Sequence, residues 1–568
     1  MTIRDPGYTP RTTPPSRGRR PPWLVSTLAA VLGVALVLGV GWAFLGAFGG
    51  SPASNGSSAG AATASGAEAT STAVPASPSE GDAGGATAPP TSAAPVPAAD
   101  ADVAIVPVTN FRSGRTTVRP RDVAAIEGGE GTYGSLVLVE GETDAILATL
   151  GRSREGLGNA LVTVDDAREL RAYLPKHRKA LGFLRADEVD ESVRALGWER
   201  AALFGVDRVA SLDAWPLTAR LAVGDATAGA YDPATAWTMV AGGDILLDRG
   251  VALAIKEHGV NFPFDGGTVE ITGICADCSP FGWDLPYTRR TGNKGAMRDL
   301  IKGADVAIAN FENPAPDAFR FHGRGTVFSA NPAYLKGLRN AGVDWVSLAN
   351  NHIGDAGRAG MLQTIRNVAE YGIAHAGLGR NRKAAHKAAL LDVGATTVGL
   401  LGYDAIAAGY AAGRDTPGSA RLTKTALKTD IRNARKAGAD VVIVMPHWGI
   451  EYRSTPFPRQ QELARYAIDA GADMVIGNHA HWAGAMEVWD GKPIWYALGN
   501  FVFDQTWSIP TMEGITVELT FNGNELVQAR LRPHLILDRA QPNFLDPLGE
   551  GRAVLSQIFR ASRGLLAW

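Results

Sequence analysis

Apolar positions follow three regimes along the chain, and each predicts different elements. Residues 23–48, "WLVSTLAAVLGVALVLGVGWAFLGAF", form a long run with no charged position. About 20 apolar residues span the hydrocarbon of a bilayer, so this run predicts a transmembrane helix, with Trp23 and Trp42 as interfacial anchors. Residues 49–100 are dominated by Ala, Ser, Gly, Thr and Pro, with almost no large apolar side chains. Such a segment buries too little surface to offset its ordering entropy, which predicts a disordered linker. From residue 101 onward apolar residues return in short blocks. "DVAIVPVTNF" (102–111) and "SLVLVE" (135–140) predict strands, and "DDARELRAYLPKHRKALGFL" (165–184) predicts a largely helical stretch interrupted at Pro175. Residues 101–223 therefore read as a small α/β domain, closed by the loop "VGDATAGAYDPATA" (223–236).

Past that loop, short apolar strands alternate with amphipathic helices, the pattern of a layered α/β domain, here 234–543, with a C-terminal extension at 544–568. The expected strands are 236–246, 304–312, 343–352, 396–405, 439–449, 472–481 and 493–504; "NPAYLKGLRNAG" and "FPRQQELARYAIDAG" are expected helices between them. "GITVELTFNGNELVQARLRPHLIL" (514–537) alternates around "NGN" and predicts a β-hairpin.

Five of these runs end in a residue able to bind metal: Asp244, Glu312, Asn351 with His352, His447, and His479 with His481. Strand C-termini in open α/β sheets converge on one edge, where ligands bind. Carboxylate, amide oxygen and imidazole together make a mixed shell suited to Mn, Fe or Zn, one or two ions, rather than the all-oxygen shell of Ca or Mg. Strand geometry would place His479 and His481 on one face. Asp355, in "NHIGDAG", is expected either to cap the helix that begins near Gly357 or to orient His352. Glu451 and Tyr452 are expected to line a pocket or to play a structural part. The "AGG" before Asp244 reads as close backbone packing at a turn, and His534 falls outside the site.

Charge and cysteine content narrow the setting. Lys plus Arg number 55 against 57 for Asp plus Glu, a net charge of −2, which argues against nucleic acid as a partner. Arg17, Arg19 and Arg20 precede the apolar run, so residues 1–22 are expected as a cytosolic basic tail and everything after Phe48 as extracytoplasmic. A cleaved signal peptide is the rival reading, disfavoured because the run is longer than a signal h-region. The two cysteines, Cys275 and Cys278, cannot complete a four-ligand zinc site, and an exported location permits a short disulfide bracing an inserted loop at 259–294.

"GGDILLDRG", "ANFENP", "SLANNHIGDAG", "HAGLG", "MPHWGIEY", "ADMVIGNHAHW" and "GKPIWYALGNFVFD" occur in this order between Trp237 and Gln505. In these motifs the chain resembles the CapA family of poly-γ-glutamate capsule biosynthesis proteins, which is similar in fold to the calcineurin-like metallophosphoesterases. The resemblance implies an α/β sandwich of metallophosphoesterase type. It also implies a metal set of Asp244, Glu312, Asn351, His447, His479 and His481, and a substrate-facing His352 with Asp355 beside it. Two departures from the phosphoesterases are shared with CapA-like sequences: Leu246 stands where an Asp-x-His histidine would be, and Glu312 stands for an aspartate. The function implied is that of a membrane-anchored, exported protein acting in synthesis, export or attachment of an anionic envelope polymer. A membrane-embedded polymer synthase as partner rests on the same analogy. Two alternatives stay open: a dinuclear-metal phosphoesterase acting on a phosphorylated envelope substrate, and a non-catalytic metal- or anion-binding module.

Overall fold

The computed structural model describes residues 99–223, 230–565 and 568. The expected basic tail, the expected membrane span at 23–48 and the expected linker up to residue 98 lie outside the described residues. Among the described residues no helix is long and apolar enough to cross a membrane.

The first sheet is built from residues before 224. Its longest strand, Ala99–Asn110, starts three residues earlier than the pattern suggested and pairs antiparallel with Ala180–Arg185, Val193–Ala195 and Thr218–Val223. The stretch expected to be largely helical is in fact divided. Its helix ends at Tyr173, just before Pro175, and "ALGFLR" becomes a strand buried between two neighbours. A continuous apolar run of this length fits a strand covered on both faces as well as it fits a helix, and the proline decides against the helix. The sheet has its own core, whose residues come from 104–236 apart from Val527.

Two further sheets follow. The larger has ten strands, with Trp237–Ile245 near its middle between the parallel strand Val306–Phe311 and the antiparallel strand Glu513–Asn522. The other has six strands, including Thr396–Asp404, Val441–His447 and Met474–Ile476. Their inner faces share one core, in which Met239, Ala241, Ile308 and Trp345 from the larger sheet meet Val398, Ile443, Met474 and Trp495 from the smaller. Alternation sends Val240 and Ile245 to the opposite face, against helices Arg249–His258, Ala296–Gly303 and Leu335–Ala341. Helices Lys424–Lys436 and Pro458–Asp469 cover the outer face of the six-stranded sheet. The order is helix, sheet, sheet, helix, a mixed α/β fold.

Several expected strands differ from those observed. The run 493–504 divides between the sheets, with Lys492–Trp495 in the smaller and Asn500–Val502 beside Trp237–Ile245 in the larger. The run 343–352 keeps only Trp345–Ser347 as strand, and 472–481 keeps only Met474–Ile476. The expected hairpin is present, with Asn522 paired to Glu525 across Gly523 and Asn524. Cys275 and Cys278 are bridged at the end of the strand Thr268–Cys275, which pairs with Leu285–Gly292 to form the inserted hairpin.

The "AGG" lies within a strand rather than at a turn. The register slips between Ala241, opposite Ile308, and Asp244, opposite Asn310, and this bulge re-aims Asp244. A Cβ on Gly243 would fall 1.9 Å from the carbonyl oxygen of Gly499. Gly243→Ala is therefore expected to cost about 3 kcal/mol or more, because the obstacle is backbone and cannot swing away. Chemical denaturation of the variant beside the parent chain measures the loss, and an unchanged midpoint would contradict the packing described.

Candidate metal centre

Loops at the ends of strands from both sheets build one buried cluster. Asp244 is the last residue but one of Trp237–Ile245, Glu312 directly follows Val306–Phe311, and His447 is the last residue of Val441–His447; all three are essentially sealed from solvent. His479 and His481 were expected on one strand face. The strand ends at Ile476, and both histidines sit on the following loop at φ +90° and +57°. Non-glycine residues rarely adopt such backbone, and it persists where surrounding contacts hold it. One of these contacts is the His479 amide, which donates to Asp244 Oδ2 at 3.1 Å.

Around His447 Nε2 stand Asn351 Oδ1 at 2.7 Å, His479 Nδ1 at 3.1 Å and Glu312 Oε1 at 3.2 Å. Asn310 Nδ2 donates to Asp244 Oδ1 at 2.7 Å and lies 3.1 Å from His447 Nδ1. His481 is held by Asn500. The Asn500 amide nitrogen donates to the Thr511 carbonyl at 2.9 Å and to Gln505 Oε1 at 3.1 Å, which turns its oxygen toward His481 Nδ1 at 2.9 Å. Nδ1 is thus the N–H, and the lone pair of Nε2 faces Glu312 Oε1 at 3.9 Å. Behind Asn500, buried His534 approaches its carbonyl at 2.9 Å, so this residue supports the cluster from outside.

Two donor groups emerge, Glu312 with His447 and His479, and Asp244 with Glu312 and His481; in each the donor atoms lie within 4.8 Å of one another. Glu312 is common to both. Its two carboxylate oxygens are buried without a hydrogen-bond partner, as is Asn310 Oδ1. Buried acceptors are normally satisfied, so these orphaned oxygens fit a cation between the two groups. Electrostatics agree. Burial, reinforced by Glu312, pushes the Asp244 carboxyl well above its usual range, and burial holds Glu312 up to about 8. Burial, and then neighbouring histidine charge, drives His447, His479 and His481 well below theirs, leaving neutral imidazoles with free lone pairs.

His352 lies at the rim of the cluster. Its Nδ1 donates to Asp355 Oδ2 at 3.0 Å, and the same oxygen accepts the Phe328 amide at 2.9 Å. Of the two roles open to Asp355, the structure shows the contact with His352. Helix Gly357–Glu370 is capped at Ala356, without a side-chain bond. Leu246 packs with Phe328, Phe503 and Ile536 in an apolar cluster. Tyr452, at φ +61°, places its ring 6.1 Å from that of His481.

Sequence reasoning missed Asn310, Asn500 and Gln505, which hold the donors in place. It also missed Arg249, which stacks over Phe328 and Phe503 and pairs with Asp504. All four lie inside quoted motifs or next to them, yet an amide within an apolar run carries no signal of what it faces.

This is a mixed α/β domain whose two sheets gather a carboxylate and imidazole cluster fit for divalent metal. Residues 238–505 match the family described as "Bacterial capsule synthesis protein PGA_cap". The capsule biosynthesis protein CapA of Bacillus anthracis is 32% identical over 48% of this chain and 61% of its own length. The PGA biosynthesis protein CapA of Bacillus subtilis (strain 168) is 34% identical over 38% of this chain and 60% of its own. The matches thus span about three fifths of those relatives. The solved calcineurin-like phosphoesterase YfkN of Bacillus subtilis is 12% identical, covering 58% of this chain and 97% of that one with a TM-score of 0.28.

Proposed function

We propose that the chain is an exported, membrane-anchored CapA-like protein that acts in the synthesis, export or attachment of an anionic envelope polymer of poly-γ-glutamate type. Its working centre is a pair of divalent transition ions, Mn, Fe or Zn. The observation that carries this reading is Glu312, sealed from solvent with both oxygens unpartnered between two sets of imidazole and carboxylate donors. Asp244 and His481 would hold one ion, His447, His479 and Asn351 the other, and Glu312 both. When bound, such ions polarise a phosphoryl oxygen and acidify water. The names of the relatives support the polymer; the apolar run at 23–48 and the arginines before it support the anchor. A membrane-embedded synthase is the partner this placement calls for.

A hydrolytic reading of the same centre, a phosphoesterase acting on a phosphorylated envelope substrate, is favoured by one contact. Asp355 fixes the His352 tautomer, so Nε2 is the atom free to take up or deliver a proton at the rim. Deleting the gene in its own host is expected to remove the surface polymer. Wild type should restore it and His479→Ala should not. Polymer unchanged by the deletion would overturn the proposal.

A further inference from the structure

Between the first sheet and the ten-stranded sheet lies a cavity of about 800 Å³ that shares no residue with the metal centre. Three arginines line its inner part, Arg194 from the first sheet and Arg530 with Arg532 from the hairpin strand Glu525–Leu537. Arg194 and Arg530 are 6% and 7% exposed, so each guanidinium is buried. Set against these three cations, the buried carboxylate is Glu518, and it is already engaged: it accepts from Arg532 Nε at 2.6 Å and from the Val206 amide at 2.7 Å.

Arg194 and Arg530 are left short of partners. Among the described residues no carboxylate oxygen lies within ion-pairing distance of either, and the Nε of each is buried without an acceptor. Arg194 has one long bond to the Phe111 carbonyl, at 3.3 Å, and sits 5.5 Å from the Phe111 ring centroid. Burial, and then the charge of Arg530, pulls its guanidinium down to about 9. Unpaired buried charge is among the costliest arrangements in a fold.

The acids nearby relieve this only in part: Glu518, and less so Asp207, offset some of the cost of burying Arg530. Asp207, Asp299 and Asp546 are exposed at the rim, Glu550 is half-buried there, and Glu270 is bound to Arg289 at 2.6 Å. A cationic floor under a rim of mixed charge, where Arg115 and Lys294 stand among the acids, suits a small ligand with an anionic head group. Guanidinium forks match planar or tetrahedral oxyanions by paired N–H donation.

We propose that this cavity is a second, metal-independent site that holds the oxyanion group of a small ligand, a carboxylate or a phosphate, among Arg194, Arg530 and Arg532. The two strands it joins belong to different sheets, so an occupant ties the first sheet to the rest of the protein.

Calorimetric titration of the full-length chain, freed of metal with chelator, tests this with two probes, inorganic phosphate and triglutamate. One of them is expected to bind saturably at one site per chain and to raise the melting temperature. Phosphate binding identifies a phosphorylated ligand; triglutamate binding identifies a carboxylate one. Arg530→Met and Arg194→Met, each shown folded by circular dichroism, are expected to weaken that binding at least tenfold. If neither probe binds the wild-type chain, or if a folded variant binds as wild type does, the site is not there. The wild-type titration decides the matter even where a variant does not fold.

Discussion

Glu312→Gln is expected to empty both metal positions at once, not one of them. The carboxylate belongs to both donor groups, and its oxygens have no other partner. An amide keeps the shape but loses the charge and one acceptor. Loss of residues that merely orient metal ligands already costs roughly 10- to 100-fold in affinity, so loss of the shared ligand should exceed about 100-fold. Elemental analysis of wild type and variant after equilibration with Mn, Fe or Zn measures this. His481→Ala provides the contrast, because it belongs to one group alone and should spare the other ion. A Glu312→Gln chain that keeps its full metal content would refute the shared role.

On the hydrolytic reading, His352→Ala is expected to leave metal content unchanged while lowering turnover of an aryl phosphate ester by about 10²- to 10⁴-fold, the usual contribution of a positioned acid or base. Asp355→Asn should lower it less, since the amide can no longer favour the same tautomer of His352 with a full negative charge. Steady-state rates across pH, with metal quantified in the same samples, separate this from damage to the ion site. Equal rates in wild type and His352→Ala would remove His352 from any chemistry.

The residues of the centre were legible because each closes an apolar run: Asp244, Glu312, His447, and the pairs Asn351 with His352 and His479 with His481. The structure brings all of them to one place. Their distribution over two facing sheets was hidden, because apolar runs at 304–312 and 439–449 look alike whichever sheet receives them. The helix expected to resume beyond the Pro175 interruption and the strand expected through His481 failed for a common reason. A period can be read over a short block, but its end depends on partners far away, such as the Ala99–Asn110 strand beside "ALGFLR" or the Asp244 carboxylate beneath the His479 amide. Asn500 and His534 were out of reach altogether, since nothing local says that one steadies His481 and the other backs it. The same holds for Arg194 and Arg530, whose meeting across a cavity is a property of tertiary packing alone.

Because the larger sheet contributes Asp244 and Glu312 while the smaller contributes His447, His479 and His481, each donor group draws on both sheets. An ion held by such a group would be gripped fully only once the halves have docked. Such a cation would act as a clasp, tightening the folded form by an amount that rises with the logarithm of its free concentration.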